Sequence, residues 1–234
     1  MGNDMMDLSQ LARYLQRDVR EVSKWASRGY LPGHKVSGEW RFARAEINQW
    51  IENQMHAYTE QELAALENTG GSAAEQEPLV SALLPEECIA VPLSSHSRPA
   101  ILKELVELAE RSWQVYDPEA ILEAIRQRED MGSTALESGV AIPHPRRPLP
   151  AALGESILAF GRTVSGVPFN NPQGHLTDIF FLVCCRDDRT HLRVLARLSR
   201  LLLRPGFLDD LRAAPTAADT WQLIDAAERD LVVA

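Results

Sequence analysis

Asp178-Ile179-Phe180-Phe181-Leu182-Val183-Cys184-Cys185 is apolar at every position after the first. A run without polar alternation is covered on both faces, so this segment is expected in the middle of a sheet. Ser156 to Gly161 and Gly139 to Pro143 read as further strands. Helical stripes lie around them. Ile101, Leu102, Leu105, Leu108 and Ala109, within Pro99 to Ser112, recur at the spacing of one helix face. Asp117-Pro118 supplies an N-cap followed by proline at the first helical position, and Ile121, Leu122 and Ile125 carry that helix to about Arg128. Asp187 and Asp188 precede another, from about Thr190 to Leu203, with Leu192, Leu195, Leu198 and Leu202 inward. Two shorter helices are expected near 206–213 and 216–230. Alternating elements of both kinds predict a layered α/β domain.

Upstream the composition changes. Thr69 to Glu77 (TGGSAAEQE) is small and polar, a linker by composition. Just before it, Thr59 and Glu62 form a capping-box pattern that predicts a short helix bearing Ala64, Ala65 and Leu66. The expected organisation is therefore a head at 1–56, a linker with a short helix at 57–78, and a body at 79–234. At roughly 100–200 residues per domain, 234 residues suit one or two domains.

The head reads as helix, helix, hairpin, helix. Leu8, Leu11, Ala12 and Leu15 mark an amphipathic helix over 8–16 with Asp7 as N-cap. A second runs from Asp18 to Arg28, burying Val22 and Trp25, and stops at Gly29. Lys35 to Phe42 forms a hairpin with Gly38 in its turn, and Ala45 to Asn53 a third helix with Ile47, Trp50 and Ile51 inward. Arg17, Arg20, Lys24 and Arg28 share one face of the second helix. Such a face suits a major groove, with Lys35, Arg41 and Arg44 on the flanking backbone. A merely solvated basic face reads the same way from charge alone.

Composition excludes several classes. Hydrophobic residues at 45% and charged residues at 24% describe a core-forming chain rather than a disordered one. No apolar run reaches the roughly 18–20 residues of a membrane helix, and the polar N-terminus shows no signal peptide. Three cysteines, two of them adjacent in an apolar run, read as buried thiols in a reducing cytoplasm. Cys/His spacing offers no zinc site, and no cofactor motif is present. Neither a Gly-x-Ser-x-Gly elbow nor a clustered carboxylate pair points to a hydrolase. The net charge of −9 is uneven: residues 1–56 hold 8 Lys and Arg against 7 Asp and Glu, the remainder 16 against 26. An acidic body argues against nonspecific nucleic-acid binding by the whole chain and leaves room for a specialised head.

Two histidines in the body draw attention. His144 sits between Pro143 and Pro145, with Arg146 and Arg147 following, and is expected in a surface turn. His191 falls in the first turn of the leucine-rich helix, where the dipole and free N–H groups favour an anion. A neutral imidazole can accept a phosphoryl group, and Arg128, Ser133, Thr134 and His191 are candidate donors to its oxygens. Chemistry alone leaves open a surface histidine and a packing residue.

Two resemblances sharpen these readings. The head, through its first helix, the Trp25 segment, Arg28-Gly29-x-Leu31-Pro32 and Gly38-x-Trp40-Arg41-Phe42, resembles the excisionase/MerR-like winged helix-turn-helix family. Such modules usually bind DNA, which implies contacts from Arg17, Arg20, Lys24, Arg28, Lys35 and Arg41. The body carries Arg128-Glu129-Asp130-Met131-Gly132-Ser133-Thr134, then Gly139-Val140-Ala141-Ile142-Pro143-His144, then Thr190-His191-Leu192. In that order these resemble the IIA domain of the phosphoenolpyruvate-dependent phosphotransferase system, of the fructose/mannitol/nitrogen-regulatory type. The resemblance implies a mixed β-sheet flanked by helices. It implies that His144 is the phosphoacceptor, with His191 and Arg128 beside it; Ser133, Thr134 and Arg146 are the candidate hydrogen-bond donors to phosphate that residue chemistry adds. Pro145 stands where many members have glycine. It removes one N–H that could meet a phosphate, and Arg146 or Arg147 is a candidate replacement.

The implied role is a phosphohistidine carrier, not a stand-alone enzyme, without metal or cofactor. It would be phosphorylated by an HPr-like phosphocarrier and coupled to DNA binding. A sugar-transport subunit donating to a separate IIB protein, and a regulator of a kinase or transporter acting by binding alone, are the alternatives. A head of this size covers few base pairs, so a homodimer or partner is expected for tight binding.

Overall fold

A computed structural model describes residues 5–15, 17–55, 57–67 and 79–233. The expected linker stretch Thr69 to Glu77 lies outside them.

The head contains β1 (Met5–Met6), α1 (Leu8–Tyr14), α2 (Val19–Ser27), β2 (His34–Val36), β3 (Glu39–Ala43) and α3 (Arg44–Met55). Side chains start the first two helices as their sequences suggest. Asp7 and Gln10 form a reciprocal capping box at 2.8 Å, and the Asp18 carboxylate accepts the Arg20 N–H at 2.8 Å. Ser37 and Gly38, with φ of 53° and 87°, make the tight turn between β2 and β3. The strands form an antiparallel sheet in the order β1-β3-β2. β1 is too short to show a pattern in sequence. Leu11, Val22, Phe42, Ile47 and Ile51 are buried at the centre, and Trp25 meets Trp50 with ring centroids 6.3 Å apart. After the head, α4 (Glu60–Glu67) begins with the expected box. Thr59 N–H donates to Glu62 at 3.0 Å, and Glu62 N–H donates to Thr59 Oγ1 at 3.3 Å.

The body runs β4 (Ile89–Ala90), α5 (Arg98–Glu110), α6 (Pro118–Asp130), β5 (Val140–Ala141), β6 (Ile157–Pro168), β7 (Leu176–Cys184), α7 (Asp188–Leu203), α8 (Phe207–Ala213) and α9 (Ala217–Val233). Its mixed sheet has the order β4-β6-β7-β5: β6 and β7 are antiparallel, while β4 joins β6 and β5 joins β7 in parallel. Strand β7, apolar from Ile179 onward, is interior, and Ile179 to Cys184 are fully buried. Phe160 and Phe181 meet edge to face at 4.9 Å. β6 extends past the expected end at Gly161, through a register shift between Arg162 and Val167, into a segment where buried Thr163 and Val167 alternate with exposed residues. All three cysteines are buried, and burial pushes the Cys185 thiol up to about 12. Among the described residues, no helix is long and apolar enough to cross a membrane.

α4 lies against α7. Glu67 accepts from Arg197 Nε at 2.8 Å and from Arg200 Nη1 at 3.0 Å. Arg197 also donates to Glu228 on α9 at 2.9 Å. Glu228, fully buried, collects the backbone N–H groups of Leu79, Val80 and Ser81 at 2.7–2.8 Å. A buried charge network thus ties the helix after the head to the body.

Candidate functional site

The loop before β5 positions His144. Gly139 adopts φ of 85°, and a Cβ there would lie 3.0 Å from both Arg212 Nη2 and Asp178 Oδ1, so glycine is required. Gly139 O then accepts the Asp178 N–H at 2.9 Å, which starts the parallel pairing of β5 with β7. Pro143 O accepts the Val183 N–H at 3.0 Å, so the chain follows β7 to its carboxyl end. There α7 begins, with Asp187 as N-cap accepting the Thr190 N–H at 2.9 Å. His144 and His191 therefore meet beyond the carboxyl ends of two parallel strands, with ring centroids 5.0 Å apart. Ligands of open α/β sheets are held at this edge.

His144 is not in an exposed turn: it is only 3% exposed, and His191 only 5%. The cover comes from the head. Glu52, on α3, places Oε2 3.2 Å from His144 Nε2 and Oε1 3.0 Å from His191 Nε2. Arg128 Nη2 lies 3.8 Å from Glu52 Oε2. One carboxylate thus faces two imidazoles and a guanidinium, all nearly excluded from solvent.

The tautomers follow from the hydrogen bonds. His144 Nδ1 lies 2.7 Å from Ile142 O and must donate to it. In the neutral ring, Nε2 then carries the lone pair, the nucleophilic position. A lone pair facing a carboxylate oxygen repels it, so the contact with Glu52 requires a proton on His144 Nε2. Burial depresses the His191 pKa below its ordinary 6.5, and the hydrogen bond to Glu52 offsets only part of that. Burial alone would raise the Glu52 carboxyl. The charge of His144 and hydrogen bonds from both rings outweigh it and hold Glu52 well below the usual carboxylate range.

The remaining candidates divide. Arg128 is at the site; its Nη1 is anchored on Gly132 O at 2.9 Å, and its buried Nε has no partner. Ser133 and Thr134 make hydrogen bonds away from the two imidazoles. Ser133 Oγ donates to Phe169 O at 2.5 Å, and Thr134 Oγ1 donates to the Glu129 carboxylate. Arg146 is half-buried, with its Nε enclosed and unpartnered. On the head, Arg20, Lys24 and Arg28 are exposed along α2. Arg17 lies 4.0 Å from Glu62, Lys35 sits over the Trp40 ring at 5.2 Å, and Arg41 pairs with Glu39 at 2.8 Å. Glu52 was not singled out in the sequence. Its only signal is that Asn48 and Glu52, polar and one turn apart, interrupt an otherwise apolar side of α3.

Glu52, His144 and His191 bring three ligand atoms within 4.8 Å of one another, and zinc accepts two histidines with a carboxylate. The Arg128 guanidinium beside them supplies fixed positive charge, which suits an anion guest rather than a cation.

A small winged helix-turn-helix joined to a mixed-sheet α/β domain, with paired histidines at the strand ends, defines the class. Residues 82–227 match the family described as phosphoenolpyruvate-dependent sugar phosphotransferase system, EIIA 2, and residues 5–55 match a helix-turn-helix domain. The chain belongs to that EIIA family, with a helix-turn-helix domain at its N-terminus. It is 31% identical over 148 residues to a nitrogen regulatory protein of Bradyrhizobium diazoefficiens, covering 62% of this chain and 94% of that one. Identity to the fructose-specific EIIABC component of Bacillus subtilis is 28% over 156 residues, covering 66% of this chain but only 22% of that protein. The nitrogen regulatory protein IIA-Ntr of Neisseria meningitidis superposes with a TM-score of 0.57 at 26% identity, over 63% of this chain and 99% of that one.

Proposed function

We propose that this chain is a nitrogen-regulatory-type IIA protein of the cytoplasm, phosphorylated on His144 Nε2 by an HPr-like phosphocarrier. That state is coupled to regulation through DNA binding by the head. One observation carries the reading: His144 has Nδ1 fixed on a backbone carbonyl and Nε2 turned toward an anion held with His191 and Arg128. Transfer forms a bond from Nε2 to phosphorus. The carrier's N–P bond breaks, and its ring nitrogen keeps the electron pair. Arg128 and His191 are placed to stabilise charge on the phosphoryl oxygens. For the head, the exposed row Arg20, Lys24 and Arg28 supports DNA contact.

The test is a phosphotransfer assay with phosphoenolpyruvate, enzyme I and an HPr-type carrier, read by intact mass. Wild type gains one acid-labile phosphoryl group, and His144→Ala gains none. No gain by folded wild type would sink the reading and leave regulation by binding alone.

A further inference from the structure

The head and the incoming phosphoryl group compete for one space. Glu52 Oε2, 3.2 Å from His144 Nε2, stands where phosphorus must arrive, and α3 packs against α7 beside it. This contact is backed by a second. Asn48, one turn earlier on α3 and buried, donates to Asp188 on α7 at 2.8 Å and accepts from Tyr14 on α1 at 2.6 Å. Tyr14, Asn48 and Asp188 therefore link two helices of the head to the first turn of α7, which also carries His191. Two polar residues of α3 at i and i+4 lie on the body, and both are satisfied there.

Resting on the phosphoacceptor reading above, we infer that Glu52 is an intramolecular latch. Its carboxylate occupies the phosphoryl site, holding the head against the body and blocking His144, so that phosphorylation and docking exclude each other. The pocket has the chemistry for this exchange, because the guanidinium and two imidazoles that hold one carboxylate can hold a phosphoryl group instead. Bond formation to phosphorus needs the Nε2 lone pair, so the proton facing Glu52 passes to solvent before transfer. Once phosphorylated, His144 carries about two negative charges where Glu52 had been, and the carboxylate cannot return beside it. Arg20, Lys24 and Arg28 are exposed in the latched form. Release therefore changes the position and freedom of the head, not access to those cations.

Two measurements on the full chain test this. The first is the rate of phosphorylation by the HPr-type carrier in wild type, Glu52→Gln and Asn48→Ala, the last removing a contact outside the pocket. Both variants should be phosphorylated about ten-fold faster, within the usual range of coupling between sites. Equal rates in wild type and both variants would overturn the latch while leaving the phosphocarrier intact. The second is backbone 15N relaxation, in which the comparison of wild type with Glu52→Gln needs no phosphate. Head and body tumble together in wild type, and the head tumbles faster in Glu52→Gln and in phosphorylated wild type. A head that tumbles independently in wild type, or identically in Glu52→Gln, overturns the latch even if no variant accepts phosphate.

Discussion

At the level of single residues, Glu52 and His191 make the protein sensitive to acid. Glu52 is held below its ordinary 4.5 in the folded chain, so the stability it contributes is present above about pH 4.5 and lost as pH falls below it. His191 is depressed below 6.5, so its unfolded form takes up a proton first, and that loss starts as pH falls below 6.5. Both act in one direction. Glu129, raised by burial, acts in the other, so the comparison with a variant isolates the latch. Thermal melting from pH 2.5 to 8 should show wild type falling more steeply than Glu52→Gln below pH 4.5; parallel curves would count against a buried, ionised Glu52. Residue chemistry was only partly legible in the sequence. His144, His191 and Arg128 were singled out because they sit in ordered motifs, and the structure brings them together. Ser133 and Thr134 sit in the same motif but use their hydroxyls to fix the loop after α6.

Between elements, the join of α4, α7 and α9 depends on buried charge. Glu228 satisfies three backbone N–H groups and Arg197 at once. Glu228→Ala would orphan all four donors, and breaking a buried ion pair costs about 3–5 kcal/mol. Urea unfolding should show a loss of that size; a change under about 1 kcal/mol, the worth of an exposed pair, would mean the network is solvated. Strong periodicity and caps made α5, α6, α7 and β7 readable. The capping box likewise revealed α4, but not its packing on α7. That contact depends on Glu67 reaching Arg197, 130 positions later. The short strands β1 and β4, two residues each, carry no period to read. The far half of β6 buries only Thr163 and Val167, too little apolar pattern to read as a strand.

For the whole molecule, the two units and their order were legible from composition and motif, but their docking was not. Glu52 lies 92 positions from His144 and 139 from His191, and no local pattern encodes a contact at that distance. It also overturned the expectation of an exposed His144, because the cover belongs to the other unit. The proposed phosphotransfer uses His144 Nε2, while Nδ1 stays tied to Ile142 O. Phosphorus–proton correlation NMR on the phosphorylated protein reads that directly. A phosphoryl group on Nε2 of His144, with resonances of α3 shifted away from their docked positions, is the predicted result. Phosphate on Nδ1 or on another residue, or α3 resonances unmoved by phosphorylation, would contradict it.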